Sequence, residues 1–244
     1  MNAALSTTPR ALRYLTSGAL AAVGVPHFFS MKPAGDMAHA GAASQLVSEI
    51  APERSLVLRC QVHGSAVAVV GSRDAGSAHE ADALVTDDPG TMVAIRTADC
   101  VSVLIASDDG HVVAAVHAGW RGVVAGVVLR AIECVRERSD RPLVAAIGPC
   151  ISQGAFEVGP EVVAEFRRVF GAETDLFVRS GRADRLHIDL VESLRRQVRP
   201  FAVEVDTSAA FCTVSDSERF HSFRRDAAMA GRMLSGIGVC ATAE

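Results

Sequence analysis

Three residues far apart in the chain, His63, Cys100 and His117, are of the types that could share one metal ion. Two imidazoles and a thiolate are donors that zinc accepts, and three protein ligands leave a tetrahedral ion one open position for chemistry. Cys100 and His117 bracket a predicted β-hairpin, Cys100-VSVLIA-SDDG-HVVAAV-His117. Two β-branched apolar runs flank a four-residue turn signal, Ser107 to Gly110. A turn centred between Asp108 and Asp109 puts Cys100 directly opposite His117, with Cβ atoms roughly 4.5–5.5 Å apart. A tight Asp109-Gly110 turn instead slips the register by two residues and puts Gly119 opposite Cys100. His63 closes the segment Ser55-LVLRCQV-His63, whose alternation reads as a half-buried strand with His63, Gln61 and Arg59 on the more polar face, away from Cys60.

The neighbours of these residues carry chemistry of their own. HAGWRG, residues 117–122, joins a predicted strand to a predicted helix. Such a junction directs unpaired backbone N–H groups outward, Gly119 and Gly122 permit close approach, and Arg121 offers a planar fork to a phosphate or carboxylate. Asp99, beside Cys100, is a candidate to orient a ligating histidine and a candidate catalytic acid; a strand-end or turn carboxylate is an equally good reading. Cys150, His187 and the Arg224-Arg225 pair read as packing, loop and ion-pair residues, with one of those arginines within reach of an anion pocket. Asp189 reads as the N-cap of VESLRRQV.

A scaffold must bring these groups together. With 244 residues and 49% hydrophobic content, the chain is long enough for one sizeable core. It has no linker-like run and no internal repeat, so the expectation is a single domain over residues 1–244. Strands are predicted at 25–30, 55–63, 66–71, 83–86, 92–98, 101–106, 111–117, 143–147, 175–179, 202–206 and 210–214. Helices are predicted at 8–21, 42–50, 121–138, 160–170, 189–199 and 225–236. Consecutive strands with hairpins point to an α/β protein of the α+β type, with mixed and antiparallel sheets.

Composition narrows the function classes. The net charge is −4, no basic block interleaves with aromatics, and there is one Trp and one Tyr, so neither nucleic acid nor an anionic membrane is an expected partner. Six cysteines without a CxxC fit neither a zinc finger nor a disulfide framework, and the expected home is the reducing cytoplasm. Arg10 and Arg13 precede a short apolar stretch that reads as a first helix, not a leader. No apolar run approaches the roughly 20 residues of a membrane span.

Six motifs occur in order: QVHG at 61–64, DALVTDDPG at 82–90, RTADCVSVLI at 96–105, VHAGWRG at 116–122, IGPCISQGAFEVG at 147–159 and CTVSDSERFHSFRRDAAMAGRM at 212–233. Together they resemble the bacterial family once called laccase-domain or multicopper polyphenol oxidases, now described as purine nucleoside phosphorylases with adenosine deaminase activity. The resemblance implies two sheets packed between helices. It implies a zinc site on His63, Cys100 and His117, with copper as the other candidate metal. It also implies phosphorolysis of adenosine, inosine and methylthioadenosine with phosphate as partner, and deamination of adenosine. The chain departs from the pattern at HFFSMKPAGDMAHAGAASQLV, which is shorter than usual and has Lys32 where an Arg is common, and at Ser102, where a Pro is common. Three other functions compete: a copper-dependent phenol oxidase, a cysteine hydrolase with Cys100 as nucleophile and His117 as base, and a binding module without turnover. Nothing in the residues fixes an oligomeric state.

Overall fold

A computed structural model describes residues 12–77 and 79–240. In chain order the strands are β1 (Tyr14–Leu15), β2 (His27–Ser30), β3 (Ser55–Val57), β4 (Val67–Val69), β5 (Ala83–Thr86), β6 (Thr91–Thr97), β7 (Val101–Ser107), β8 (Val113–Ala118), β9 (Leu143–Ile147), β10 (Glu157–Val158), β11 (Val178–Ser180), β12 (Leu186–Ile188), β13 (Glu204–Asp206) and β14 (Met233–Gly238). The helices are α1 (Gly18–Val23), α2 (Ala40–Ile50), α3 (Trp120–Val124), α4 (Val127–Arg136), α5 (Pro160–Phe170), α6 (Leu190–Val198) and α7 (Phe223–Asp226). Among the described residues, no helix is long and apolar enough to cross a membrane.

Two mixed sheets form the centre, five strands in the order β1-β2-β14-β6-β3 and six in the order β13-β9-β7-β8-β5-β4. A small antiparallel sheet, β10-β12-β11, lies apart from both. The layers follow from the two-residue period of a strand. Along β6, Met92 and Ala94 pack with Leu46 and Val47 of α2, while Val93 and Ile95 join Leu84, Leu104, Val113 and Ala115 of the other sheet. Along β7 and β8, Val103, Ile105, Ala114 and Val116 turn to the opposite side and pack with residues of α4, α5 and α6. The order is helix, sheet, sheet, helices, which is the mixed-sheet α+β architecture expected from the strand pattern.

Local expectations fared unevenly. Helix α5 runs over the predicted 160–170 with Pro160 in its first turn, and Asp189 caps α6 by accepting from the Glu192 N–H. The predicted helix 8–21 lies partly outside the described residues; within them Tyr14–Leu15 is a strand and α1 starts at Gly18. The predicted helix 121–138 is broken at Gly126, whose φ of +77° suits glycine. The predicted strand 175–179 overlaps the end of a 3₁₀ turn over Gly171–Leu176 and the start of β11, Val178–Ser180, and the segment 210–214 forms only an isolated bridge, Cys150 to Cys212. The predicted helix 225–236 is one short helix followed by β14, an interior strand hydrogen-bonded to β2 and β6. All six residues of β14 are buried, so it carries no alternation to reveal it.

Candidate metal centre and its cleft

Two chain crossings build the site. The chain passes from the five-stranded to the six-stranded sheet between β3 and β4, and again between β6 and β7. Strand β3 runs parallel to β6, so both crossings leave the same end of the first sheet. Strand β8 is antiparallel to β7 and finishes at that end, where β5 begins. His63 lies in the first crossing, Cys100 in the second, His117 near the end of β8, and Asp82 directly before β5.

The hairpin takes the slipped register. Ser102 pairs with His117 and Val101 with Ala118. The turn is centred between Asp108 and Asp109, with the Gly110 N–H donating to the Ser107 carbonyl at 2.8 Å, but Gly110 is left-handed at φ of +73° and the Ser107 N–H donates to the Val112 carbonyl at 2.9 Å, so 108–111 form a four-residue loop and the ladder shifts by two. Cys100 is therefore not directly opposite His117 as first expected. The expected strand 55–63 ends at Val57. His63 sits in a bend with φ of +60°, and Cys60 lines the same cleft as His63 instead of facing away. Both differences have one cause: these residues carry the chain between sheets and do not continue a ladder. Asp99, at φ of +91°, makes the corresponding corner before Cys100.

The ligand atoms of His63, Cys100 and His117 all lie within 4.8 Å of one another, a grouping that could hold a metal ion. The two imidazoles meet edge to face with ring centres 4.8 Å apart. Gly119 makes this proximity sterically feasible: a Cβ there would lie 3.0 Å from Cys100 Sγ and 3.1 Å from the His63 ring. A Cβ on Gly122 would lie 3.1 Å from the Gly64 carbonyl. The glycines of HAGWRG thus let the His63 loop approach the start of α3.

Asp82 organises the group, and sequence reasoning missed it. Its carboxylate contacts His117 Nδ1 at 2.7 Å and accepts the N–H groups of Val62, His63 and Gly64 at 3.2, 3.0 and 2.7 Å. With Nδ1 engaged, the Nε2 of His117 is left for a ligand, the arrangement common for metal-binding histidines. The available signal was an aspartate opening the buried strand ALVT, where an unpaired carboxylate would be costly. Burial raises the Asp82 pKa, but the bonds from His117 and Gly64 overcome it and hold the group low. Burial likewise pushes His117 down, and its bonds to Asp82 and Cys100 reverse this, raising it to about 9. The Cys100 thiol, raised by burial, is brought down to about 7 by His117 and His63. A sulfur that ionises this readily beside two imidazoles has the donor chemistry that zinc or copper takes.

Asp99 is placed differently from the expectation. Its carboxylate accepts from Thr213 Oγ1 and from the Arg224 N–H, each at 2.6 Å, and its carbonyl accepts from the Ile151 N–H at 2.9 Å. It ties together segments that wall the site and bonds to neither imidazole of the group. Arg121 is exposed, with its guanidinium carbon 4.4 Å from the Trp120 ring centre. The cleft beside the metal-ligand group, about 540 Å³, includes Gln61, Ile151, Phe156, Phe223 and four arginines, Arg59, Arg96, Arg224 and Arg232, in its lining; Arg121 and Gly122 are not part of it.

Two packed sheets between helices, with this group at their shared end, define an α+β class also seen in solved structures. The structure of YlmD from Geobacillus stearothermophilus superposes with a TM-score of 0.83 at 26% identity, covering 96% of this chain and 98% of that one. Neisseria meningitidis protein NMB0706 gives 0.81 at 27% identity, over 94% and 100% of the two chains. The chain belongs to the family described as multi-copper polyphenol oxidoreductase laccase, whose model matches residues 35–240. Among its relatives, the purine nucleoside phosphorylase YfiH of Shigella flexneri is 38% identical over 177 residues, 72% of this chain and 71% of the relative. The adenosine deaminase RL5 of an unknown prokaryotic organism is 33% identical over 198 residues, 75% and 74% of the two chains.

Proposed function

We propose that this protein is a metal-dependent purine nucleoside phosphorylase, acting on adenosine, inosine and methylthioadenosine, that also deaminates adenosine. The observation that carries the reading is the convergence of His63, Cys100 and His117 in the lining of a cleft that also contains four arginines. The names of the relatives support the reactions. In this reading one domain spans residues 1–244 and works in the cytoplasm.

His63, Cys100 and His117 would hold the ion, zinc by preference. A divalent metal with three protein ligands supplies Lewis acidity at its open position when bound. The chain's own residues do the remainder. Asp82 keeps His117 in the tautomer and orientation that presents Nε2. Phe156 and Phe223 give the cleft aromatic surface suited to a purine ring. The cleft arginines favour an anionic co-substrate over a second nucleoside. Asp99 accepts hydrogen bonds from Thr213 and Arg224 and so ties the cleft walls together.

The test is metal analysis joined to a nucleoside panel with and without phosphate. Cys100→Ala is expected to lose the metal and at least about 100-fold in both activities while keeping the native circular dichroism spectrum. Full activity in metal-free Cys100→Ala protein would refute the reading.

One observation favours a second reading. Asp82, His117 and Cys100 line up as a carboxylate, an imidazole and a readily ionised thiol, the arrangement of a nucleophilic cysteine hydrolase. Rapid alkylation of Cys100 that zinc does not slow would support it. Copper also accepts two histidines and a cysteine, and oxygen consumption with a phenol in copper-loaded protein would favour the oxidase.

A further inference from the structure

A second cavity adjoins the cleft. This cavity of about 390 Å³, lined by Ser44, Leu58, Gly76 and Ser77 among others, shares three residues with the metal-site cleft: Arg59, Cys60 and Arg96. Two arginines therefore stand where cleft and cavity meet.

Arg96 is held by its backbone and by one nitrogen of its head. Its N–H donates to the Gln61 side-chain oxygen at 2.8 Å, and the Gln61 amide donates back to the Arg96 carbonyl at 2.7 Å. Its Nε donates to the Met37 carbonyl at 2.6 Å. Among the described residues, its two terminal nitrogens have no hydrogen-bond partner and no carboxylate within 4.0 Å. Burial pushes its pKa down, and the more distant charge of Asp36 opposes this; an arginine nonetheless stays charged at neutral pH. Arg59 is more enclosed, its side chain 3% exposed. It donates to the carbonyls of Leu58 and Asp74 and lies 3.4 Å from the Asp74 carboxylate. Its Nε is buried with no partner among the described residues. A half-buried guanidinium with no carboxylate in contact, beside a buried one with an unpaired donor, has hydrogen-bonding capacity that an anion would satisfy.

We infer that Arg96, with Arg59 beside it, forms a phosphate-recognising subsite at the junction of cleft and cavity, on the Gln61 side of the metal-ligand group. The terminal nitrogens of Arg96 form the planar fork that pairs two oxygens of a phosphate. The inference rests on the proposed function for the reaction the phosphate enters, but not for the binding itself. The phosphate is either free inorganic phosphate, the attacking co-substrate, or the 5′-phosphate of a bound nucleotide.

The first experiment uses the wild-type protein. Arginine-selective dicarbonyl labelling, mapped by mass spectrometry, is run with inorganic phosphate and with chloride at equal ionic strength. Phosphate, but not chloride, is expected to protect Arg96. The second compares wild type with Arg96→Gln and Arg96→Lys, each checked for an unchanged melting temperature. Arg96→Gln is expected to raise the phosphate KM at least about tenfold and well beyond any rise in the nucleoside KM, with Lys restoring only part. If the source is a nucleotide, adenosine 5′-monophosphate binds wild type at least about tenfold tighter than adenosine does, and Arg96→Gln abolishes the difference. Protection of Arg96 in a protein that turns over no nucleoside would leave the subsite standing and remove the proposed reaction. No protection by phosphate, together with equal affinities for nucleoside and nucleotide, overturns the inference; so does folded Arg96→Gln protein in which the phosphate KM and the affinity difference between nucleotide and nucleoside are both unchanged.

Discussion

Asp82 is the residue on which the candidate centre turns. One carboxylate orients the His117 ring and gathers the three N–H groups around His63, so it positions two of the three donors at once. An asparagine cannot offer both oxygens as acceptors and must aim an NH₂ group at donors that need acceptors. Asp82→Asn is therefore expected to lower metal affinity about 10- to 100-fold, measured by chelator competition. Retained affinity would mean that the ring and the loop are held by packing alone.

Elements matter here mainly through the connections between them. The turn between β5 and β6 is held by Asp88, whose carboxylate accepts from the Ser72 and Gly90 N–H groups at 2.6 and 2.8 Å and from the Thr91 hydroxyl at 3.0 Å. The Ser72 and Gly90 bonds favour the charged form and lower its pKa to about 2. A depressed carboxylate stabilises the fold above its unfolded value near 3.8, and that contribution is lost as pH falls through about 2. Asp88→Asn is expected to cost about 1 kcal/mol at neutral pH, and the gap from wild type should close between about pH 4 and pH 2. Urea unfolding across that range measures it, and a gap independent of pH would assign the cost to packing. The break at Gly126 belongs to the same scale: the apolar periodicity of 121–138 is helical, but the corner between α3 and α4 is set by one left-handed residue.

At the scale of the whole molecule, the apolar layer between the two sheets sets the distance between the crossings that carry His63 and Cys100. Leu104 is fully buried in that layer, with Phe29, Ile95 and Ile237 among its residues. Leu104→Ala is expected to destabilise the protein by about 2–5 kcal/mol, read as a fall in melting temperature. Metal affinity should fall as well, because β7 begins next to Cys100. A stability loss with metal binding untouched would show that the crossings are rigid on their own.

The strand-rich pattern of the first half, the apolar runs of β7 and β8, Pro160 in the first turn of α5, the Asp189 cap of α6 and the donor chemistry of His63, Cys100 and His117 were all legible in the chain itself. Such features depend on neighbours a few residues apart, whose periodicity and side-chain chemistry do not need a partner to be read. Register, β14 and the role of Asp82 were not legible. The two-residue slip of the hairpin depends on how many residues the loop takes in before the ladder starts, β14 is buried along its whole length, and Asp82 acts on groups 18 to 35 positions away. Only the packed sheets decide which end of each strand meets which. That decision puts four arginines around one cleft and leaves Arg121 on the outer surface against Trp120.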